Sequence, residues 1–381
     1  MSRSDFLVIL FSTILSFTVL YAPQPLLPLL AAELGVGRPA ASLLITVTLL
    51  PLSIAPVAYG FMLESVSAKR MLIGASLLLA LTSLALALGP DYGGFLLLRL
   101  LQGLLLPAML TALMTYISAR AEPARLGQAM AVYVASTVLG GFSGRAFAGL
   151  VAEWAGWRTA FLLIGLLLLA AALLLLRLRA DPASRFTRVP AGAIGDVLRT
   201  AGLGRSYLVI FCAFFVFASL LNFLPFRLIE LDPGLGPSAI ALMYTGYLMG
   251  IAVSLAAERI ATLLGSRKQA VVLGLGLQLA ATVLFMLPAV ALLFANMFLL
   301  CAGMFLVHGL LPGLINELAP ERRGIVNGLY VGAYYAGGSV GSFAPGLLLA
   351  AGGWQTFILG LATVATLALL TAATAPRRSA G

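Results

Sequence analysis

The sequence predicts an all-α integral membrane protein with twelve transmembrane helices arranged as two parallel six-helix repeats, and three observations predict it. Of 381 residues, 61% are hydrophobic and 9% charged, whereas a soluble domain runs nearer half apolar and a quarter charged. The apolar residues gather into twelve segments, each close to the ~20 residues a helix needs to cross a bilayer. The two sets of six also repeat one another at an offset of 197 residues.

The first six segments are 6–30, 40–63, 71–88, 94–117, 128–152 and 159–178. The first is too long for a signal-peptide core and has no small-residue cleavage site before Pro23, so it reads as a retained span. A polar stretch at 179–205 follows, and then 207–228, 239–257, 270–287, 292–314, 325–350 and 356–374. The expected organisation is an N-terminal bundle over 1–178, a cytoplasmic linker over 179–205 and a C-terminal bundle over 206–381. With the N-terminus placed in the cytoplasm, 18 of the 23 Lys and Arg residues fall on inner loops and helix ends. Only Arg38, Arg158 and Arg227 fall outside, and Arg99 and Arg145 lie within spans. Positive residues accumulate on the cytoplasmic side, so both termini are expected there, in a cell (inner) membrane.

The repeat is clearest between the fifth and eleventh spans, where 11 of 33 aligned positions are identical. The matches include Tyr133 with Tyr330, Gly140 with Gly337, Gly144 with Gly341, Gly149 with Gly346, and Gly156-Trp157 with Gly353-Trp354. Six is an even number, so the second copy enters the membrane from the same side as the first. Parallel repeats with a midplane site between them are the architecture of rocking-bundle transporters.

Composition excludes several other functions. The net charge of +10 would suggest nucleic acid in a soluble protein, but these cations lie at the ends of apolar segments, so no nucleic-acid partner is expected. Cys212 and Cys301 lie in apolar runs and His308 is the sole histidine, so neither a metal nor another cofactor is expected. No phosphate-cradling loop is present either, which leaves a gradient as the energy source.

Polar residues mark every third span: Ser12, Thr13, Ser16, Thr18, Tyr21 and Gln24 in the first, Arg99 and Gln102 in the fourth, Ser219 and Asn222 in the seventh, Asn296 and His308 in the tenth. In hydrocarbon such groups must face protein or water. A polar cavity formed by spans one, four, seven and ten satisfies all of them.

Three local patterns resemble the major facilitator superfamily, within it the short bacterial twelve-helix drug and sugar efflux branch. Of the motif G-x-x-x-D-R-x-G-R-K between spans two and three, Gly60, Glu64 and Lys69 fit, while Ser65, Ser67 and Ala68 depart. R-x-x-Q-G in span four is intact as Arg99, Gln102 and Gly103. The antiporter pattern G-x-x-x-G-P-x-x-G-G in span five reads Gly140, Gly144, Arg145, Ala148 and Gly149, with arginine where the pattern has proline. The resemblance implies a major facilitator fold and a proton-coupled secondary transporter that exports a small drug, sugar or metabolite by alternating access. The alternative is a uniporter, exchanger or importer of a small organic anion, suggested by two arginines within spans against few acids. Expected partners are a small-molecule substrate, protons and the lipid bilayer, with the protein a monomer.

Candidate residues carry two readings each. A charged side chain at mid-membrane costs about 2.5–3.5 kcal/mol on insertion scales. Arg99 is therefore either a coupling residue, as the resemblance implies, or a hydrogen-bond clasp to the backbone of the first helix. Arg145 is an anion-binding or gating group, or a clasp to Glu153. Glu64 belongs to the gating motif. Glu258 is a proton carrier, or a helix-end ion pair beside Arg259. His308 titrates near neutrality unaided, so it carries protons and contacts substrate, or it bonds across a helix interface. Tyr21, Gln24, Gln102 and Asn222 bind substrate or pack. Gly141, Ser143 and Gly144 match a G-x-S-G pattern that, with His308 as base, gives the remote alternative of an intramembrane serine protease. Four residues in a glycine-rich chain are weak evidence, and the expectation is that the protein is not an enzyme.

Overall fold

The computed structural model describes residues 2–63, 66–122, 125–179 and 191–374, and every regular element among them is helical. In chain order these are α1 (Arg3–Tyr21), α2 (Leu27–Glu33), α3 (Arg38–Met62), α4 (Ala68–Ala87), α5 (Tyr92–Arg120), α6 (Leu126–Ala155) and α7 (Trp157–Leu176). There follow α8 (Ala191–Arg199), α9 (Leu203–Leu231), α10 (Pro237–Leu242), α11 (Gly246–Leu263), α12 (Arg267–Leu284), α13 (Val290–Leu318) and α14 (Arg323–Ala373). Ten stretches among the described residues are long and apolar enough to cross a membrane. The last, Gly324–Ala373, bends at the non-helical Gly353 (φ 71°, ψ −170°) into two spans, and α12, the least apolar of the long helices, supplies the twelfth.

Two compact units emerge from the packing: Met1–Thr187 with Pro233–Tyr244, and Arg188–Asp232 with Thr245–Gly381. The first contains α1 to α7 and α10; the second contains α8, α9 and α11 to α14. Within the linker predicted over 179–205, α8 is a short helix of the second unit, where Asp196 pairs with Arg322 at 3.0 Å.

Both units use the same seam. In the first, Gly140 and Gly144 of α6 lie against the backbone of α1, where an added Cβ would stand 2.6 Å from the Ile14 oxygen and 2.6 Å from Thr18 Cα. In the second, Gly337 and Gly341 of α14 lie against α9, with an added Cβ 2.2 Å from the Phe211 oxygen and 2.3 Å from the Phe215 oxygen. Ile14 with Phe211 and Thr18 with Phe215 are again 197 apart, so partner helices repeat along with the glycines. Small residues let helices approach this closely in lipid, where dispersion and packing rather than the hydrophobic effect drive association. The turn after each seam repeats as well: Gly156 (φ 82°) and Gly353 (φ 71°) take the left-handed backbone that glycine tolerates, and each precedes a buried tryptophan.

A second pair of equivalent devices sits at the N-termini of α4 and α12. Ser67 and Ser266 cap these helices by accepting the backbone N–H of Arg70 and Gln269. Lys69 Nζ donates to the Leu176 and Leu178 carbonyls at 2.8 and 2.6 Å, and Lys268 Nζ to the Ala373 carbonyl at 2.9 Å. Each lysine places a cation at the negative C-terminal end of a long helix, Lys69 at α7 and Lys268 at α14.

Candidate functional site

The polar residues of the first unit form two arginine-centred clusters. Proline shapes the first. Helix α1 stops at Tyr21 because Pro23 and Pro25 lack N–H groups, and the chain tightens into a 3-10 turn at Gln24–Leu26. The Val19 carbonyl, whose helical donor would be residue 23, is thereby freed. Arg99, fully buried on α5, fills the gap: Nη1 donates to the Val19 oxygen and Nη2 to the Leu20 oxygen, both at 2.8 Å. Its Nε donates to the Leu44 oxygen of α3 at 2.8 Å, and Nη1 also reaches Gln102 Oε1 at 2.7 Å. Gln102 in turn donates through Nε2 to Ser83 Oγ on α4 at 3.1 Å, so one guanidinium ties α1, α3, α4 and α5.

Arg145, equally buried, forms the second cluster. Nε donates to Gln24 Oε1 at 2.6 Å and Nη1 to the Gly141 oxygen at 2.5 Å. The guanidinium carbon stands 4.1 Å from the Tyr21 ring centroid and 5.0 Å from that of Tyr244. Glu153, the partner weighed from sequence, is exposed and accepts the Ser238 backbone N–H at 3.3 Å. The structure thus gathers Tyr21, Gln24 and Arg145, and adds Tyr244, which no sequence pattern singled out.

In the second unit the centre is His308 on α13. Its Nδ1 shares a 2.8 Å hydrogen bond with the Tyr330 hydroxyl, and its ring lies 4.9 Å from that of Tyr334. Tyr334 stacks on Phe214 of α9 at 3.7 Å and meets Tyr335 edge-on at 5.1 Å. His308 and Tyr334 are half-buried, whereas Phe214, Tyr330 and Tyr335 are buried. The repeat pairs Tyr330 with Tyr133 and Phe214 with Phe17, the signal that could have found them; Tyr334, opposite Thr137, carries no such mark.

The other candidates are placed as follows. Asn222 Nδ2 donates to the Ser342 carbonyl at 3.4 Å, and Ser219 Oγ to the Gly341 carbonyl at 2.7 Å, both joining α9 to α14. Gln278, unnoticed in the sequence, joins α12 to α9 through the Ala213 carbonyl at 2.7 Å. Glu258 lies on the exposed end of α11 and pairs with Arg267 at 2.9 Å, instead of the neighbouring Arg259 weighed from sequence. Arg267 also pairs with Glu317, so the ends of α11, α12 and α13 share one ion-pair cluster. The Ser143 hydroxyl donates to the Gly140 carbonyl at 3.4 Å within its own helix. Glu64 lies outside the described residues.

This chain resembles known transporters along nearly its whole length. It is 27% identical over 371 residues to the inner membrane transport protein YnfM of Escherichia coli, covering 95% of this chain and 88% of that one. It is 27% identical over 363 residues to YybF of Bacillus subtilis, an uncharacterized MFS-type transporter, covering 94% and 88%. Among solved structures, the nucleoside transporter NupG superimposes with a TM-score of 0.82 at 14% identity, over 98% of this chain and 100% of that one. A bacterial homolog of the human lysosomal transporter Spinster superimposes with 0.79 at 14% identity, over 97% and 94%. The sequence profile of the Major Facilitator Superfamily matches residues 9–232 and 206–380. Because those matches take in both repeats and the helices that build both clusters, the chain belongs to the Major Facilitator Superfamily of membrane transporters.

Proposed function

We propose that this transporter is a proton-coupled secondary carrier that exports a small organic compound by alternating access between its bundles, 1–178 and 206–381. One observation carries the reading: His308, the sole histidine of the chain and a ring that can both accept and donate a proton, is half-buried and hydrogen-bonded to Tyr330. Beside it, the half-buried Tyr334, backed by the buried Phe214 on which it stacks, offers a flat apolar face. A substrate that displaces or protonates His308 changes a hydrogen bond between α13 and α14, which is a direct way to link a proton to a helix movement.

In this reading His308 contacts both proton and substrate, and Tyr21 and Gln24 line the first unit's contribution around Arg145. Gln102 and Asn222, committed to Arg99 and to the Ser342 carbonyl, position helices. Arg99 holds α1 to α3 and α5. Glu258 and Arg267 fix helix ends. The protein is a monomer in the cell (inner) membrane with both termini cytoplasmic, as the distribution of its cations supports, and it catalyses no covalent chemistry.

A second reading, movement of a small organic anion, is favoured by the burial of Arg145 where the antiporter pattern has proline. The two readings separate in proteoliposomes. Under export, cationic or neutral drugs drive proton movement that His308→Gln abolishes while substrate binding survives. Under anion movement, carboxylates are the ligands, and Arg145→Met removes their binding.

A further inference from the structure

In the sequence the segment Pro233–Tyr244 runs on into α11, yet it packs within the first unit. Three contacts hold it there. Gly149 of α6 meets Pro237 and Ala241 so closely that an added Cβ would stand 2.6 Å from the Pro237 oxygen and 2.4 Å from Ala241 Cβ. One turn further along α6, Glu153 accepts the Ser238 backbone N–H at 3.3 Å, one of the first-turn donors of α10 that has no partner inside its own helix. At the far end of the segment Tyr244 is buried with its ring 5.0 Å from Arg145. The helix does not run regularly onward from there. Residues Met243–Thr245 form a 3-10 turn, and within that turn the chain passes from the first unit into the second. A short 3-10 stretch inside a longer helix is a common form of hinge.

We infer that Pro233–Tyr244 is a strap seated on α6, hinged at Met243–Thr245, and that Arg145 is the residue that clamps it. The inference rests on the alternating-access reading, since the strap leaves its seat once per cycle. Arg145 acts as a positioning residue through Tyr244. Its hydrogen bonds to Gln24 and Gly141 orient the guanidinium from the first unit's own helices, and Tyr21 covers one side at 4.1 Å. The clamp on the strap itself is a cation–π contact, which has a broad angular tolerance and reforms without exact alignment. Arginine at 145 therefore gives this chain a releasable contact at the position where the antiporter pattern has a proline.

The test begins with Cys212→Ser and Cys301→Ser to remove the native thiols. In that background Glu153→Cys with Ser238→Cys is oxidised to a disulfide, verified by mass spectrometry, and assayed for substrate flux in proteoliposomes. The inference expects flux to fall at least tenfold on oxidation and to return with dithiothreitol. Undiminished flux through the crosslinked protein overturns it. Separately, Ile240→Cys, a buried strap position, is labelled with a soluble maleimide. Tyr244→Ala or Arg145→Met should speed labelling at least fivefold, while Tyr244→Phe, which keeps the ring face, should leave it within twofold. Unchanged labelling in Tyr244→Ala overturns the clamp. If the reduced double-cysteine protein and its cysteine-free parent move no compound under any gradient, the transport reading fails, and the labelling still decides the strap.

Discussion

Arg99 shows how a single charge becomes tolerable in the membrane. Its donors answer a shortage created elsewhere: Pro23 withholds the N–H that the Val19 carbonyl would receive, and the guanidinium replaces it. Removing a partner from a buried polar group costs about 1–3 kcal/mol. Arg99→Ala strips donors from Val19, Leu20, Leu44 and Gln102 together and should lower the thermal midpoint in detergent by several degrees. Pro23→Ala returns one N–H, so it should destabilise less in the Arg99→Ala background than in the native protein. A double-mutant cycle on thermal midpoints measures that coupling, and strict additivity would sink the pairing. The burial of Arg99 was legible from its place in an apolar run, and a clasp to the first helix was one of two readings there. The identity of the acceptors was not legible, because 80 residues separate Arg99 from Val19. At His308 the limit was similar: Tyr330 stood out as a repeat match, but only the packing of α13 on α14 sets its hydroxyl 2.8 Å from the imidazole.

At the scale of helices, the glycine seams are the feature read most fully in advance. An offset of 197 aligned Gly140 with Gly337 and Gly144 with Gly341, and the structure presses each pair on matching positions of α1 and α9. Backbone atoms on the far side cannot turn away as a side chain can. Gly144→Val and Gly341→Val should therefore each cost at least the ~1–3 kcal/mol of an overpacked core and sharply reduce folded protein recovered in detergent. Gly328→Val, at a site with nothing within 4 Å of an added Cβ, should behave as native in size-exclusion and thermal assays. Equal losses at all three would mean the seam is not special. The breaks in the helices were harder to anticipate. The turn after α1 carries Pro23 and Pro25, whereas the 3-10 turn at Met243–Thr245 contains no proline or glycine, and only packing reveals it. The ion-pair cluster of Glu258, Arg267 and Glu317 was hidden for a related reason: Glu258 is nine residues from Arg267, but Glu317 is 50 residues away and reaches it only through the packing of α13.

For the whole molecule, twelve spans, parallel repeats and membership of a transporter superfamily follow from properties that accumulate along the chain: apolar length, charge asymmetry and self-similarity. Coupling does not accumulate in that way. It depends on one or two groups whose surroundings are set by tertiary packing, and in the function we propose it converges on the His308–Tyr330 hydrogen bond between α13 and α14. Tyr330→Phe keeps the ring and removes the hydroxyl, so it should retain substrate binding and alter the pH dependence of flux, whereas a simple packing role would leave the pH profile unmoved. The decisive measurement is proton movement on substrate addition to proteoliposomes, comparing native protein with His308→Gln across drugs, sugars and organic anions. The account predicts substrate-driven proton flux in the native protein and substrate flux without protons in the variant. Substrate flux with no proton movement in the native protein, or undiminished proton movement in the variant, would contradict it.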